Sequence, residues 1–433
     1  MRIKLLAAIA GFLLTSVVMS SCLGGDDDTT EYSPNAVLQS FELDTIYGVT
    51  YKFTIDQING KVYNQDSLPV GADTIINKIL ITDMTVSGLM SIRNYNDTSD
   101  SLFTISDSVN LAGTMEKPFR VKVWAPDMLV TKEYQIEVRV HKQVPDSLSW
   151  GSGAWATNFA PTITGKQKAA ILNKKIFVYA DNQPVYSSAT SDGKVWIAQA
   201  ANGLPSTDIT SITNFQNRLY ATVKGSSKAY CTEDGINWED AALGDNVVRL
   251  IAPINGTLTG IVNSGDTQLF ATTDGATWTT NGEVPENFPV NNISAVNYKN
   301  NIGVENVLAV GRMANPTATD TATVAWGYMS GQQWVELSTE SKYKCPLLET
   351  PTIIYYGGTI YTLGKDFTTF YYSVAGLVWK SVDSLFMLPE QLRGAESDYS
   401  MVVDDDNYIW IMRSSPNEVW RGRLNRLGFL IQE

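Results

Sequence analysis

The chain is predicted to be all-β: a β-sandwich followed by a ring of six repeated antiparallel sheets, with seven as the alternative count. Three observations predict it. The first is a seven-residue pattern, Thr-x-Asp-Gly-x-x-Trp, at residues 190–196 (TSDGKVW), 232–238 (TEDGINW) and 272–278 (TTDGATW), with fainter copies at 373–379 (SVAGLVW) and around Gly331–Trp334. The second is the spacing of the tryptophans. Trp196, Trp238, Trp278, Trp334, Trp379 and Trp420 are separated by 42, 40, 56, 45 and 41 residues. A period near 40 with one Gly turn and one Trp per unit is the mark of a β-propeller. The third is the segment before the repeats, where short runs alternate apolar and polar residues and no helical period is sustained.

The first element, residues 1–21, reads as a lipoprotein signal peptide. Arg2 and Lys4 give a basic start, and residues 5–18 form an apolar run too short for a comfortable membrane span. It ends in Met19-Ser20-Ser21-Cys22, a small-residue approach to a cysteine. This resembles a bacterial lipoprotein signal and implies lipidation at Cys22 and anchoring in the outer membrane. Residues 22–33 follow as an acidic, flexible tether carrying Asp26-Asp27-Asp28. That run resembles the acidic export signal of Bacteroidetes surface lipoproteins, which implies an extracellular-facing protein.

Removal of the signal leaves 412 residues, enough for two or three domains. With 44% hydrophobic and 18% charged residues, the mature chain should be globular. A net charge of −13 argues against nucleic acid, which requires a basic face. After Cys22 only Cys231 and Cys345 remain, in different repeat units, so no disulfide framework is expected. One histidine, His141, and two scattered cysteines make no zinc cluster, and no metal or cofactor is expected. As a lone His beside Lys142 on an alternating strand, His141 reads as a surface residue. The oligomeric state stays open.

Residues 34–143 contain one tryptophan, Trp124, of the eleven in the chain. Alternating runs occur at Tyr51-Phe53-Ile55, Phe119-Val121-Val123 and Tyr134-Ile136-Val138-Val140, and Asn59-Gly60 reads as a hairpin turn. About 110 residues of strands and turns suggest an immunoglobulin-like β-sandwich. Val144-Pro145-Asp146 is the expected joint.

Residues 147–433 divide into blades at 168–200, 208–240, 247–280, 293–337, 351–382 and 399–429. First-turn pairs recur at Asn173-Lys174, Asn217-Arg218, Asn255-Gly256, Gly357-Gly358 and Asp406-Asn407. The sixth blade lacks a fourth strand, and Ser147-Leu148-Ser149-Trp150 resembles an orphan one. It is expected to pair with the last blade and close the ring, removing free sheet edges. A seventh blade would need strands within 155–165.

The repeated turn resembles the Asp-box of sialidase-type and other propellers, Ser/Thr-x-Asp-x-Gly-x-x-Trp, with one residue fewer between Asp and Gly. The resemblance implies structural hairpins: Asp192, Asp234 and Asp274 hold the turn, Gly193, Gly235 and Gly275 supply positive φ, and Trp196, Trp238 and Trp278 pack between sheets. Sialidase chemistry needs three arginines around a carboxylate, a Tyr–Glu pair and an acid. The first blade has no Arg and no Arg-Ile-Pro motif, and Arg421, Arg423 and Arg426 cluster at the last turn, where closure and surface charge account for them. Other glycosidases need two facing carboxylates, which sequence cannot pair. Asp404-Asp405-Asp406, between two apolar runs, reads as a solvated hairpin tip rather than a calcium loop.

Signal, tether, sandwich and propeller together resemble a family of Bacteroidetes surface lipoproteins classed as domain of unknown function 6242. The residues that carry the resemblance are Asn64-Gln65-Asp66-Ser67-Leu68-Pro69 and the ending 419–429 (VWRGRLNRLGF). It implies this architecture and a cell-surface location, and brings no catalytic residues. The expected function is a non-catalytic binding module for a glycan or a partner protein of a nutrient-uptake system. The alternatives are a glycan-active enzyme and a structural or assembly protein. The expected ligand face lies opposite the Asp-Gly turns. The long fourth-blade insertion at 311–324 is the first place to look, and Arg312, Trp326, Asp366 and Arg413 are the expected contacts.

Overall fold

The structure, a computed structural model, describes residues 32–431 except 95–96, 105, 291–292, 314–320 and 338–339. The signal segment, Cys22 and the Asp26–Asp28 run lie outside the described residues, as does the middle of the 311–324 insertion. The chain divides into two compact units between Lys142 and Gln143.

The first unit contains two sheets. Leu38–Leu43, Ile79–Val86 and Ser108–Val109 form an antiparallel one. Phe53–Asp56, Lys61–Asn64, Thr131–Glu137, Phe119–Trp124 and Leu89–Arg93 form the other, in that order. Alternation drives it: Phe119, Val121, Val123, Tyr134 and Ile136 are wholly buried, while Arg120 between them is exposed. Each such side chain contributes about 1.5–3 kcal/mol by leaving water. Together with Leu38, Phe41 and Ile81 from the first sheet they make one core. The expected turn at Asn59-Gly60 joins Phe53–Asp56 to Lys61–Asn64. Asp56 accepts the backbone N–H groups of Ile58 (2.9 Å) and Asn59 (3.0 Å), and Gly60 takes φ +62° where a Cβ would stand 2.6 Å from Glu133 O.

Two features depart from the sequence reading. Lys61–Asn64 runs parallel to Thr131–Glu137, and a one-turn helix, Asp73–Ile76, buries Ile76. A four-residue helix is too short to produce a periodic signal. His141, expected at the surface, is half-buried, its backbone N–H donating to Leu68 O at 2.9 Å.

The second unit is built from six antiparallel sheets among the described residues. Five begin with the strands Gln167–Leu172, Ile209–Phe215, Val247–Ile254, Ile293–Lys299 and Thr352–Tyr356, and each continues through three further strands in sequence order. The sixth holds Tyr399–Val403, Tyr408–Ser414 and Asn417–Asn425, and Ser147–Trp150 pairs with the last of these in the register Gly422↔Trp150 to Asn425↔Ser147. Within 155–165 only Ala156–Thr157 is a strand, and it too joins Asn417–Asn425. The first strands of successive sheets touch one another in order, and Tyr399–Val403 touches Gln167–Leu172. Large side chains fill the spaces between neighbouring sheets. Phe270 of the third sheet stacks on Trp334 of the fourth at 5.2 Å between centroids, and Trp326 meets Phe288 at 5.4 Å.

Two-residue turns link the first and second strands at Asn173-Lys174, Asn255-Gly256 and Gly357-Gly358, with positive φ at all six residues. That is the type I′ geometry matched to strand twist. In the second sheet the turn residues are Gln216-Asn217, because Phe215 pairs with Arg218. The expected Asn217-Arg218 pair is one residue late: Arg218 extends the strand, where it can reach Glu239.

Candidate functional site

The Asp-Gly turns lie at one end of the ring, beside the first-to-second-strand turns. Asp192 accepts the N–H groups of Lys194 (3.1 Å) and Val195 (2.7 Å). Asp234 accepts those of Ile236 (2.8 Å) and Asn237 (2.7 Å), the Asn237 amide (2.6 Å) and the Thr232 hydroxyl (3.0 Å). Asp274 accepts one, from Ala276 (3.1 Å). Burial raises the Asp234 carboxyl, but these donors outweigh it and hold it down to about 2. Gly193, Gly235 and Gly275 have φ of +65°, +79° and +105°. A Cβ on Gly193 would lie 2.3 Å from the Trp410 ring, and one on Gly235 2.5 Å from Phe177. The turns therefore seat each sheet against the preceding one. Trp196 donates to Gly193 O at 2.9 Å and packs on Phe159, Trp278 donates to Leu243 O at 3.0 Å, and Trp238 is buried against Tyr179.

The opposite end opens into a cavity of about 450 Å³ along the ring axis. Its walls are the beginnings of all six first strands, together with Tyr179, Ala180 and Lys224 from the ends of second strands. Small hydroxyl side chains stitch the first strands together. Ser211 accepts the N–H of Leu250 (3.0 Å) and Ser294 that of Ile353 (3.0 Å).

Four cationic side chains line this cavity, Lys166, Lys168, Lys224 and Arg249, against two carboxylates, Asp208 and Asp398. Lys224 pairs with Asp208 at 3.4 Å. Arg249 is 8% exposed, donates Nη1 to Thr210 O at 2.6 Å, and leaves Nε buried without a partner. Among the described residues neither Arg249 nor Lys168 forms an ion pair. Burial lowers the Arg249 guanidinium to about 10. Burial in the cavity wall, with Arg249 and Lys166 nearby, lowers the half-buried Lys168 ammonium to about 8. Ser400 Oγ and Gln167 Oε1, also on the lining residues, are buried and unpartnered.

The four expected contacts are not brought together here, and the cavity lining includes none of them. Trp326 is 4% exposed in the core between the third and fourth sheets. Arg413 is 2% exposed, pairs with Glu418 at 3.4 Å and donates to Ala395 O and Ser415 O. Arg312 is half-buried after Glu305–Gly311, and Asp366 is exposed after Thr359–Leu363, accepting the Thr368 hydroxyl. Sequence reasoning missed Lys168 and Arg249. The available signal was a cation inside an otherwise apolar first strand, as in VVRLIAPI.

Other sequence candidates are accounted for locally. Asp404 is buried and accepts the N–H groups of Asp406 and Tyr408 and the Trp410 indole N–H (2.7 Å). It organises a hairpin tip, and among the described residues no group of His, Cys, Asp and Glu is placed to hold a metal ion. The Arg421 guanidinium lies 3.4 Å from the Trp155 ring centroid and 4.3 Å from that of Tyr408. Arg426 donates to Gly357 O at 3.2 Å. No helix among the described residues is long and apolar enough to cross a membrane.

No curated protein matches the chain. Solved structures with a similar fold include an auxiliary nutrient binding protein from Bacteroides thetaiotaomicron (10% identity, 92% of this chain and 100% of that one, TM-score 0.43). Another is a protein of unknown function from the same organism (11% identity, 90% and 99%, TM-score 0.42). A Hadza microbial sialidase is also similar (11% identity, 80% and 81%, TM-score 0.39). None of these likenesses carries an assignment. Residues 144–432 match the DUF6242 beta propeller domain and residues 25–138 the DUF6242 N-terminal domain, so the chain belongs to the DUF6242 family.

Proposed function

We propose that this protein is a cell-surface lipoprotein of Bacteroidetes type whose propeller is a non-catalytic binding module, for a glycan or a partner protein of a nutrient-uptake system. In this reading the six sheets are six blades, the N-terminal unit is an immunoglobulin-like sandwich, and Cys22 carries the lipid. The observation that supports it most is the axial cavity. It is concave, within the size range of small-ligand sites, and lined by more cations than carboxylates, with Lys168 and Arg249 in no ion pair among the described residues. Arg312 and Asp366, on second-to-third-strand loops, are proposed as contacts at its rim.

A glycan array with the soluble fragment 34–433, run beside a hydrolysis screen on the same sugars, tests the reading. Binding without product release is expected. Product release favours the enzyme alternative, for which Asp208 and Asp398 on the cavity wall are the carboxylates to mutate. No sugar binding at all favours a protein partner. Whole-cell protease or antibody accessibility, lost to the medium in C22S, tests the location; protection in intact cells contradicts it.

A further inference from the structure

The axial cavity has a charge that the rest of the chain does not. The protein carries −13 overall, yet this wall holds twice as many cations as carboxylates. One of the two pairs off, Asp208 with Lys224. Asp398 is half-buried and forms no ion pair among the described residues, and Lys168 and Arg249 stay without a carboxylate partner. A buried guanidinium without a counter-ion costs stability unless something compensates it. Arg249 stands eleven-twelfths buried with an unpartnered Nε, so the fold retains an uncompensated cation where an apolar side chain would fit the strand pattern.

We infer that the axial cavity binds an anionic sugar, its carboxylate held between Lys168 and Arg249 and its hydroxyls against the half-buried Thr350 and Thr352 of the wall. This rests on the reading of the axial cavity as the binding face and names the ligand class for it. The anion supplies the missing counter-charge beside the largely buried Arg249 guanidinium, where a charge-assisted hydrogen bond is stronger than at an exposed surface. The half-buried hydroxyl residues of the wall, Thr210, Ser294, Thr350 and Thr352, favour a hydroxyl-rich ligand over a bare inorganic ion. A cavity of about 450 Å³ suits one or two sugar rings.

Binding of this anion has a defined pH dependence. The charged groups facing Lys168 are Lys166, Arg249, Lys224, Asp208 and Asp398, with the phenols of Tyr179 and Tyr399 held well above their ordinary range by burial. With Lys168 lowered to about 8, the ammonium is charged at pH 7 and neutral by pH 9.5. Affinity for an anion therefore falls as pH rises through 8, and a neutral sugar shows no such fall.

Isothermal titration of the full chain at pH 7 tests the inference, with galacturonate and digalacturonate, galactose and galactobiose, and sodium sulfate as probes. The acidic sugars are expected to bind, to bind more weakly at higher salt, and to lose about tenfold in affinity in K168M and between pH 7 and 9.5. That loss is the size expected for one charge-assisted hydrogen bond. K168M keeps the fold because no partner of the ammonium is orphaned. R249K, which retains charge but not the fork, should weaken binding less than R249M. Neutral sugars binding as well as acidic ones, with K168M inert, overturns the anion and leaves the binding face standing. Sulfate binding as tightly as digalacturonate shows an inorganic anion site and overturns the sugar. Binding of no probe overturns the inference, while the array decides the wider reading.

Discussion

Asp234 holds its turn with four accepted hydrogen bonds, Asp192 with two and Asp274 with one. Alanine at these positions should destabilise in that order, from about 2 kcal/mol at 234 to about 0.5 kcal/mol at 274, measured by urea denaturation. The pH dependence has a sign. The folded Asp234 carboxyl lies at about 2, below its ordinary 3.8, so its stabilisation is present above pH 4 and disappears as pH falls towards 2. Asp234→Asn should remove that part of the acid sensitivity; an unchanged acid limb would contradict the assignment. These turns were legible in the sequence because Asp-to-backbone bonds span two or three residues. Lys168 and Arg249 were not. Whether a strand residue faces the ring axis depends on sheets more than 200 residues apart, and no local pattern encodes it.

Ring closure rests on the pairing of Ser147–Trp150, and beside it Ala156–Thr157, with Asn417–Asn425. Gly422 pairs with Trp150, and a Cβ at 422 would stand 2.5 Å from the indole, which also donates to Met387 O at 2.9 Å. Gly422→Val should cost about 2–3 kcal/mol by overpacking and lower the melting temperature, with Gly422→Ala intermediate. A neutral Gly422→Val would place the closing strand elsewhere. The orphan strand was legible because a four-residue segment ending in Trp had no blade of its own. The one-residue error at Gln216-Asn217 arose because both Gln-Asn and Asn-Arg fit the turn chemistry and only the pairing of Phe215 with Arg218 decides. The parallel pairing in the first unit left no trace in alternation, which has the same period for either direction.

Across the whole molecule, both described cysteines are buried and free, with burial raising Cys231 to about 11 and Cys345 to about 12. The native protein should react with a thiol reagent at neither site until it unfolds, since the thiolate is the reactive form. Prompt labelling of either would mean the intersheet core opens. The axial cavity, and not the Asp-Gly turn end, is where this protein is proposed to meet its ligand. A crystal structure of the 34–433 fragment with the strongest glycan from the array tests it most directly. Sugar density is expected among the first strands, within hydrogen-bond reach of Lys168 and Arg249. Density on the Asp-Gly turns, or an empty axial cavity with the sugar bound elsewhere, would contradict it.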